Sequence, residues 1–283
     1  MRSISILILA FAVASCTRVL PAPVDSRAAA EPVIAAERAF AARHQQVSVK
    51  TSFLEYAAPD GVLMTPDGPH NARAFIATWP DADDKGLIKW WPRFAGIARS
   101  GDVGFTTGPA DFDGGKRFTN SFTIWKKQPD GSWKWAIDLG TQRGARPSSS
   151  PGGSVDVVPV SDASPMPQMA AWAELFALDT ELGAASGRDA SALAPRLAPD
   201  AQAIGWTETP LIGAAAIAES LAGRPPIAMK PEGGGMSAAG DMGWTYGHAS
   251  WTDGGQAKRG PYLRAWQRRA SGWFIVMDNI HAY

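Results

Sequence analysis

The chain has 283 residues, 45% of them hydrophobic, with 27 lysines and arginines against 27 aspartates and glutamates. That balance argues against a general nucleic-acid or acidic-surface partner. A single cysteine excludes an intrachain disulfide, and 12 tryptophans beside 4 tyrosines point to large rings in cores or pocket walls.

The N-terminus reads first as an address. Met1-Arg2 is a short positive start, residues 4–13 are almost unbroken apolar, and Val13-Ala14-Ser15 precede Cys16. This is the layout of a secretory signal peptide over 1–15, with an apolar run too short for a stable membrane span. Val13-Ala14-Ser15-Cys16 resembles the bacterial lipobox, in which the cysteine is lipidated and becomes the new N-terminus. A lone thiol in an exported chain needs a reason, and lipidation supplies one. Thr17 stands where an aspartate would retain a lipoprotein in the inner membrane, so the resemblance implies the periplasmic face of the outer membrane. Lipid on Cys16 is then the membrane contact. Residues 16–30, rich in Ala, Pro and Arg, read as a tether.

A first domain is expected over 31–142. Val33, Ile34, Ala36 and Phe40 have helical spacing and predict a helix over 31–46. A second helix over 49–57 closes at Ala58-Pro59, a short strand covers 61–64, and a helix covers 71–79. Strands follow from Leu87. The last two, 118–127 and 132–139, form a hairpin about Gln128-Pro129-Asp130-Gly131. Residues 143–165 carry Pro147-Ser148-Ser149-Ser150-Pro151-Gly152-Gly153, a composition that buries no core and reads as a linker. A second domain over 166–283 repeats the order. It has helices at 169–185 and 190–197, a strand at 201–206 and a helix at 214–222. Strands follow near 226–230, 235–239, 241–251, 258–269 and 272–280. Helices before strands indicate α+β, with helices on one face of an antiparallel sheet.

The two domains are copies. Gly101-Asp102-Val103-Gly104-Phe105-Thr106-Thr107-Gly108 matches Gly240-Asp241-Met242-Gly243-Trp244-Thr245-Tyr246-Gly247. Ala58-Pro59-Asp60 matches Ala198-Pro199-Asp200, Trp125 matches Trp266, and Trp133 to Asp138 match Trp273 to Asp278, all at offsets of 139 to 141 residues. Two copies are too few for a solenoid, so they should pack as an intrachain pseudo-dimer or hang as separate beads.

Each copy resembles the nuclear transport factor 2-like superfamily, in its SnoaL-like branch. A long first helix, Ala-Pro-Asp before the first strand, the Gly-Asp-x-Gly-aromatic-Thr-x-Gly strand and the final Trp-to-Asp strand carry the resemblance. It implies two tandem cone-shaped domains, each a curved antiparallel sheet on N-terminal helices, whose open end often holds a small apolar molecule. The superfamily includes ketosteroid isomerases, dehydratases, cyclases and many non-catalytic domains, so fold alone does not decide function.

Catalytic members aim an aspartate or histidine, with a tyrosine or second acid, into an apolar cone, where burial raises a carboxyl pKa. Asp138 and Asp278, at equivalent positions in the final strand of each copy, are the first candidates. Strand alternation places Asp278 with Phe274 and Val276 on one face. Trp244, Tyr246 and His248 share one face of their own strand, and Tyr246 or His248 could complete an acid–base set with Asp278. The first copy has Phe105, Thr107 and Pro109 there, so any catalysis is expected in the second. Trp206, Trp244, Asp138, Met64 and Trp135 are candidate cone-wall residues. His70 and Arg73 could meet an anion at a helix start. The four histidines are dispersed, so no metal site is expected. Gly233-Gly234-Gly235 lacks the context of a phosphate loop and reads as a hairpin or bulge, and no cofactor motif is present. The leading reading is an envelope lipoprotein with two binding domains for a small molecule or protein, without turnover. The alternative is an isomerase, dehydratase or hydrolase acting through the second domain.

Overall fold

The computed structural model describes residues 24–281. Cys16 and the signal segment lie outside the described residues. The first helix, α1, spans Ser26–His44. It starts earlier than the apolar spacing predicts, because the Asp25 carboxylate caps it by accepting from the amides of Arg27 and Ala28. The tether therefore gives up residues 26–30 to the helix. α1 is followed by α2 (Val49–Tyr56), β1 (Ala57–Thr65), β2 (Gly68–Asn71) and α3 (Ala72–Ala77). Then come β3 (Ile88–Trp90), β4 (Phe94–Ile97), β5 (Val103–Phe112), β6 (Arg117–Lys127) and β7 (Trp133–Asp138). The Ser- and Pro-rich segment supplies β8 (Asp156–Val157). The second copy runs α4 (Gln168–Ser186), a 3-10 turn (Ala190–Arg196), β9 (Leu197–Ile204), β10 (Leu211–Ile212) and α5 (Ala214–Ala222). It ends with β11 (Ile227–Met236), β12 (Met242–Asp253), β13 (Gln256–Arg269) and β14 (Gly272–Ile280).

The expected α+β class holds for both copies. Their sheets share one order over six strands, β2-β1-β7-β6-β5-β4 and β10-β9-β14-β13-β12-β11, and in the first β3 also pairs with β5. The expectation of purely antiparallel sheets needs correction. β1 runs parallel to β7, and β9 parallel to β14. In each copy the strand that leaves the helices lies beside the last strand and runs the same way. The linker is also not a free strap: β8 extends the first sheet by pairing parallel to β4. Val155, Val158 and Ala163 are buried, and Gln267 Nε2 donates to the Pro159 carbonyl. Its polar composition hides a few apolar residues spaced to meet both domains.

The expected strands at 226–230 and 235–239 are one strand, β11, with a bulge between Pro231 and Gly233. The glycines after it lie under aromatic rings. A Cβ on Gly233 would fall 2.3 Å from the Tyr246 hydroxyl, and one on Gly235 2.2 Å from the Trp244 ring. Gly235→Ala should therefore displace Trp244 and cost about 1–3 kcal/mol, measured as a lower urea midpoint at unchanged slope.

Sheet faces divide the core. In the first copy one face carries Trp125 and Trp135 against Phe40 and Ile34 of α1. The other carries Phe105, Phe122, Ile124 and Ile137, which join Leu263, Trp244 and Met277 of the second copy in one continuous cluster. Hydrogen bonds across this contact are reciprocal. Asp241 Oδ2 accepts from the Arg99 amide at 2.9 Å, and Asp102 Oδ2 accepts from the Ala238 amide at 2.9 Å. Asp102 and Asp241 are equivalent in the repeat, and so are Arg99 and Ala238. Such reciprocity is the mark of an isologous contact.

Candidate functional site

The three residues expected to act together in the second copy are not brought together. Strand β14 has an extra residue, Val276, between the Trp266–Ile275 and Ala265–Met277 pairs. This bulge shifts the alternation, so Asp278 shares a face with Ile275, Trp266 and Arg264, the face that looks toward α4. Tyr246 pairs with Leu263 and His248 with Pro261, whereas Thr245 pairs with Arg264. Tyr246 and His248 therefore lie on the opposite face. Tyr246 lines a groove of about 270 Å³ with Asp60, Lys126 and Gln168, between the copies. His248 stands between the Glu232 carboxylate, 3.0 Å from Nδ1, and the Thr65 carbonyl, 3.1 Å from Nε2. Both residues belong to the contact between copies. Trp244 and Met64 lie in the shared cluster.

Asp278 is instead locked in an ion network. Arg264 Nε donates to its Oδ1 at 2.8 Å, and Trp206 Nε1 donates to its Oδ2 at 2.8 Å. Arg264 Nη1 donates to Asp179 Oδ1 at 2.6 Å, and the Tyr262 hydroxyl donates to Asp179 Oδ2 at 2.9 Å. Side chains of Arg264 and Asp179 are fully buried. Coulombic attraction from both carboxylates outweighs desolvation and keeps the guanidinium protonated. The hollow of the second copy is filled by this network.

The first copy keeps the acids and lacks the arginine. Glu37 occupies the same place in α1 as Asp179 in α4. Asp138 matches Asp278, and opposite it stands Thr123, whose hydroxyl donates to Asp138 Oδ2 at 2.7 Å. Oδ1 of Asp138 has no hydrogen-bond partner among the described residues. Burial pushes the Asp138 carboxyl up to about 7, opposed by the Thr123 hydrogen bond and assisted by repulsion from Glu37. Burial also raises Glu37, against the pull of its donors. Those donors are Trp90 Nε1 at 2.6 Å, Trp125 Nε1 at 3.0 Å and the Thr106 hydroxyl. Asp138 opens on a cavity of about 80 Å³ walled by Phe40, Phe53, Trp90, Phe112 and Ser121. Trp135, the remaining wall candidate, is fully buried in this core. Nearby, His44 accepts from the Ile88 amide at 3.2 Å, and burial lowers its pKa, which keeps it neutral.

His70 and Arg73 each bond within the first copy. His70 Nε2 meets the Thr65 hydroxyl at 3.0 Å, and Arg73 Nη1 donates to the Leu54 carbonyl at 2.8 Å. Among the described residues no three His, Cys, Asp or Glu side chains gather as metal ligands, and no helix is long and apolar enough to cross a membrane.

No family model and no curated protein matches the chain. Solved structures do. An NTF2-like protein with a cystatin-like fold from Novosphingobium aromaticivorans is 20% identical, covering 40% of this chain and 80% of that one, with a TM-score of 0.30. A ketosteroid isomerase-like protein from Erwinia carotovora atroseptica is 16% identical over 38% of this chain and 92% of its own, at 0.32. A protein of unknown function with a cystatin-like fold from Nostoc punctiforme is 9% identical over 42% and 96%, at 0.33. These structures are similar to this chain over a span the size of one copy.

Proposed function

We propose that this is an exported lipoprotein whose first domain receives a small molecule in its hollow, while the second, its hollow filled, braces the first. The observation that carries the reading is Asp138, bound through Oδ2 to the Thr123 hydroxyl, on the wall of an aromatic-walled cavity. Its volume is about 80 Å³. Liquid water takes about 30 Å³ per molecule and drug-sized pockets about 300 Å³ or more. The hollow thus suits a molecule of a few heavy atoms, or one end of a longer one. Ser121 lines it where the second copy has Tyr262, so Ser121→Tyr should fill it. Native mass spectrometry of the full chain released from detergent should show a small adduct that the Ser121→Tyr chain lacks. An adduct that survives this substitution sinks the proposal.

A second reading is favoured by the place of Asp138 on an aromatic-walled cavity, where burial pushes its carboxyl up to about 7, a value that suits proton transfer. It expects deuterium exchange beside the carbonyl of a small ketone to be accelerated by the full chain and not by Asp138→Asn.

The anchor and the pairing of copies complete the proposal. Cys16→Ser should move the protein from the membrane to the soluble envelope fraction, and the N-terminal peptide of the unaltered chain should carry a diacylglycerol mass. We also propose that the tandem copies act as an internal pseudo-dimer. The detergent-solubilised chain should then run as a monomer in light scattering, because the sheet face through which a single copy would pair is already covered.

A further inference from the structure

The two hollows differ in a way that bears on the class of ligand. In the second copy a guanidinium lies between the helix acid and the strand acid. It is held by Asp179 at 2.6 Å and Asp278 at 2.8 Å, with its carbon 4.8 Å from the Tyr262 ring centre. In the first copy Thr123 and Ser121 stand at the strand positions of Arg264 and Tyr262. Two large side chains are replaced by two small hydroxyls, and a cavity lined by Ser121 and Asp138 lies there. The acids, Glu37 and Asp138, remain.

We propose that the first domain binds a small organic cation, a guanidinium or alkylammonium group, in the place that the Arg264 side chain fills in the second. This rests on the small-molecule reading above and adds the charge of the ligand. Three observations support it. Among the described residues no lysine or arginine is hydrogen-bonded to, or ion-paired with, Glu37 or Asp138. Phe40, Phe53, Trp90 and Phe112 line the cavity, and an aromatic face attracts a desolvated cation. In the second copy the acids at the matching positions, Asp179 and Asp278, hold a guanidinium with short, charge-assisted hydrogen bonds, whereas in the first Glu37 already accepts from Trp90, Trp125 and Thr106 and Asp138 is the acid left for a cation. An anion would meet the Asp138 carboxyl on the cavity wall, and a neutral molecule would leave its charge without a counter-ion.

A pH signature follows. With no cation present, a proton takes its place on Asp138, whose carboxyl is pushed up to about 7. Cation binding must release that proton, so affinity should weaken by about tenfold per pH unit below pH 7 and level off above it. Glu37, on α1, is the charged group that acts on Asp138, and from β6 it meets the neutral Thr123. His44 on α1 and Tyr56 on α2 are the other titratable groups of this core. Burial keeps both neutral near pH 7.

Guanidinium and urea have the same shape and differ in charge, and both are harmless to folds at low millimolar concentration. Each would be titrated into the full chain in detergent, with tryptophan fluorescence and the Trp90 indole proton resonance as readouts. Guanidinium should saturate at least tenfold more tightly than urea, lose affinity below pH 7, and bind neither Asp138→Asn nor Thr123→Arg. The Thr123→Arg chain would carry its own cation. The pH dependence needs no variant and so survives any folding defect in them. Equal binding of urea and guanidinium, or binding that strengthens below pH 6, overturns the cation and leaves the small-molecule reading intact. If neither probe binds and the Ser121→Tyr comparison shows no lost adduct, both fall.

Discussion

Replacing Arg264 by methionine should cost about 3–5 kcal/mol of stability at pH 8, among the largest effects of any single substitution in the chain. The substitution leaves Asp179 and Asp278 buried with only a tyrosine hydroxyl and a tryptophan N–H as donors. Two carboxylates that faced a shared cation then face each other, and one of them must take up a proton. The loss should therefore shrink as pH falls, because protonation relieves it in the folded state. Urea unfolding at pH 8 and pH 5 measures both numbers. Replacing all three charges together by Met and Leu should recover most of the loss, since a well-packed apolar cluster often equals a buried ion network. If Arg264→Met alone unfolds at the same urea concentration as the unaltered chain, the network does not act as a structural plug.

This network also explains which parts of the chain are legible in the sequence. Elements with strong local signals agree closely with expectation. The alanine-rich α5 spans Ala214–Ala222, and the Pro-Asp-Gly turn joins β6 to β7 where it should. The repeat itself is legible because loops with demanding backbone geometry, such as Gly101 and Gly240 at φ of 66° and 64°, recur with their neighbours. The surroundings of the candidate acids are not legible. Period-two reasoning fails across a bulge, and Val276 is a bulge that the sequence does not mark, so alternation alone wrongly groups Tyr246 and His248 with Asp278. The partner of Asp138 escapes the same reasoning although a signal exists. Glu37 sits in the apolar stripe of α1 between Val33, Ile34 and Phe40. Asp179 sits likewise between Leu175 and Leu182. An acid inside a buried helical stripe needs a partner, and comparing the stripes of both copies pairs each with its strand aspartate. Arg264 is hidden for the converse reason: a charge on a strand reads as solvent-facing until the hollow behind it is known.

The same comparison predicts opposite behaviour for the first copy. Asp138→Asn should stabilise the protein at pH 8 and leave it unchanged or slightly weaker at pH 4. The folded carboxyl is pushed up to about 7 from an ordinary 3.8, so between these values the folded chain holds a proton that the unfolded chain has lost. Stability from this group is complete below the unfolded value and is lost as pH rises through the folded one. Each tenfold change in proton affinity is worth about 1.4 kcal/mol. Asp138 borders a cavity that admits water, which screens its charge, so the asparagine should gain about 1–3 kcal/mol at pH 8. Glu37 is raised as well and adds a loss of the same sign, whereas His44, held neutral by burial, contributes a rise as pH passes its ordinary range. Only the difference between the two chains isolates Asp138, and thermal unfolding across pH 4 to 8 supplies it. A difference that stays flat with pH would mean that Asp138 titrates as an ordinary surface carboxylate. Its hollow would then hold no suppressed charge for a ligand to neutralise.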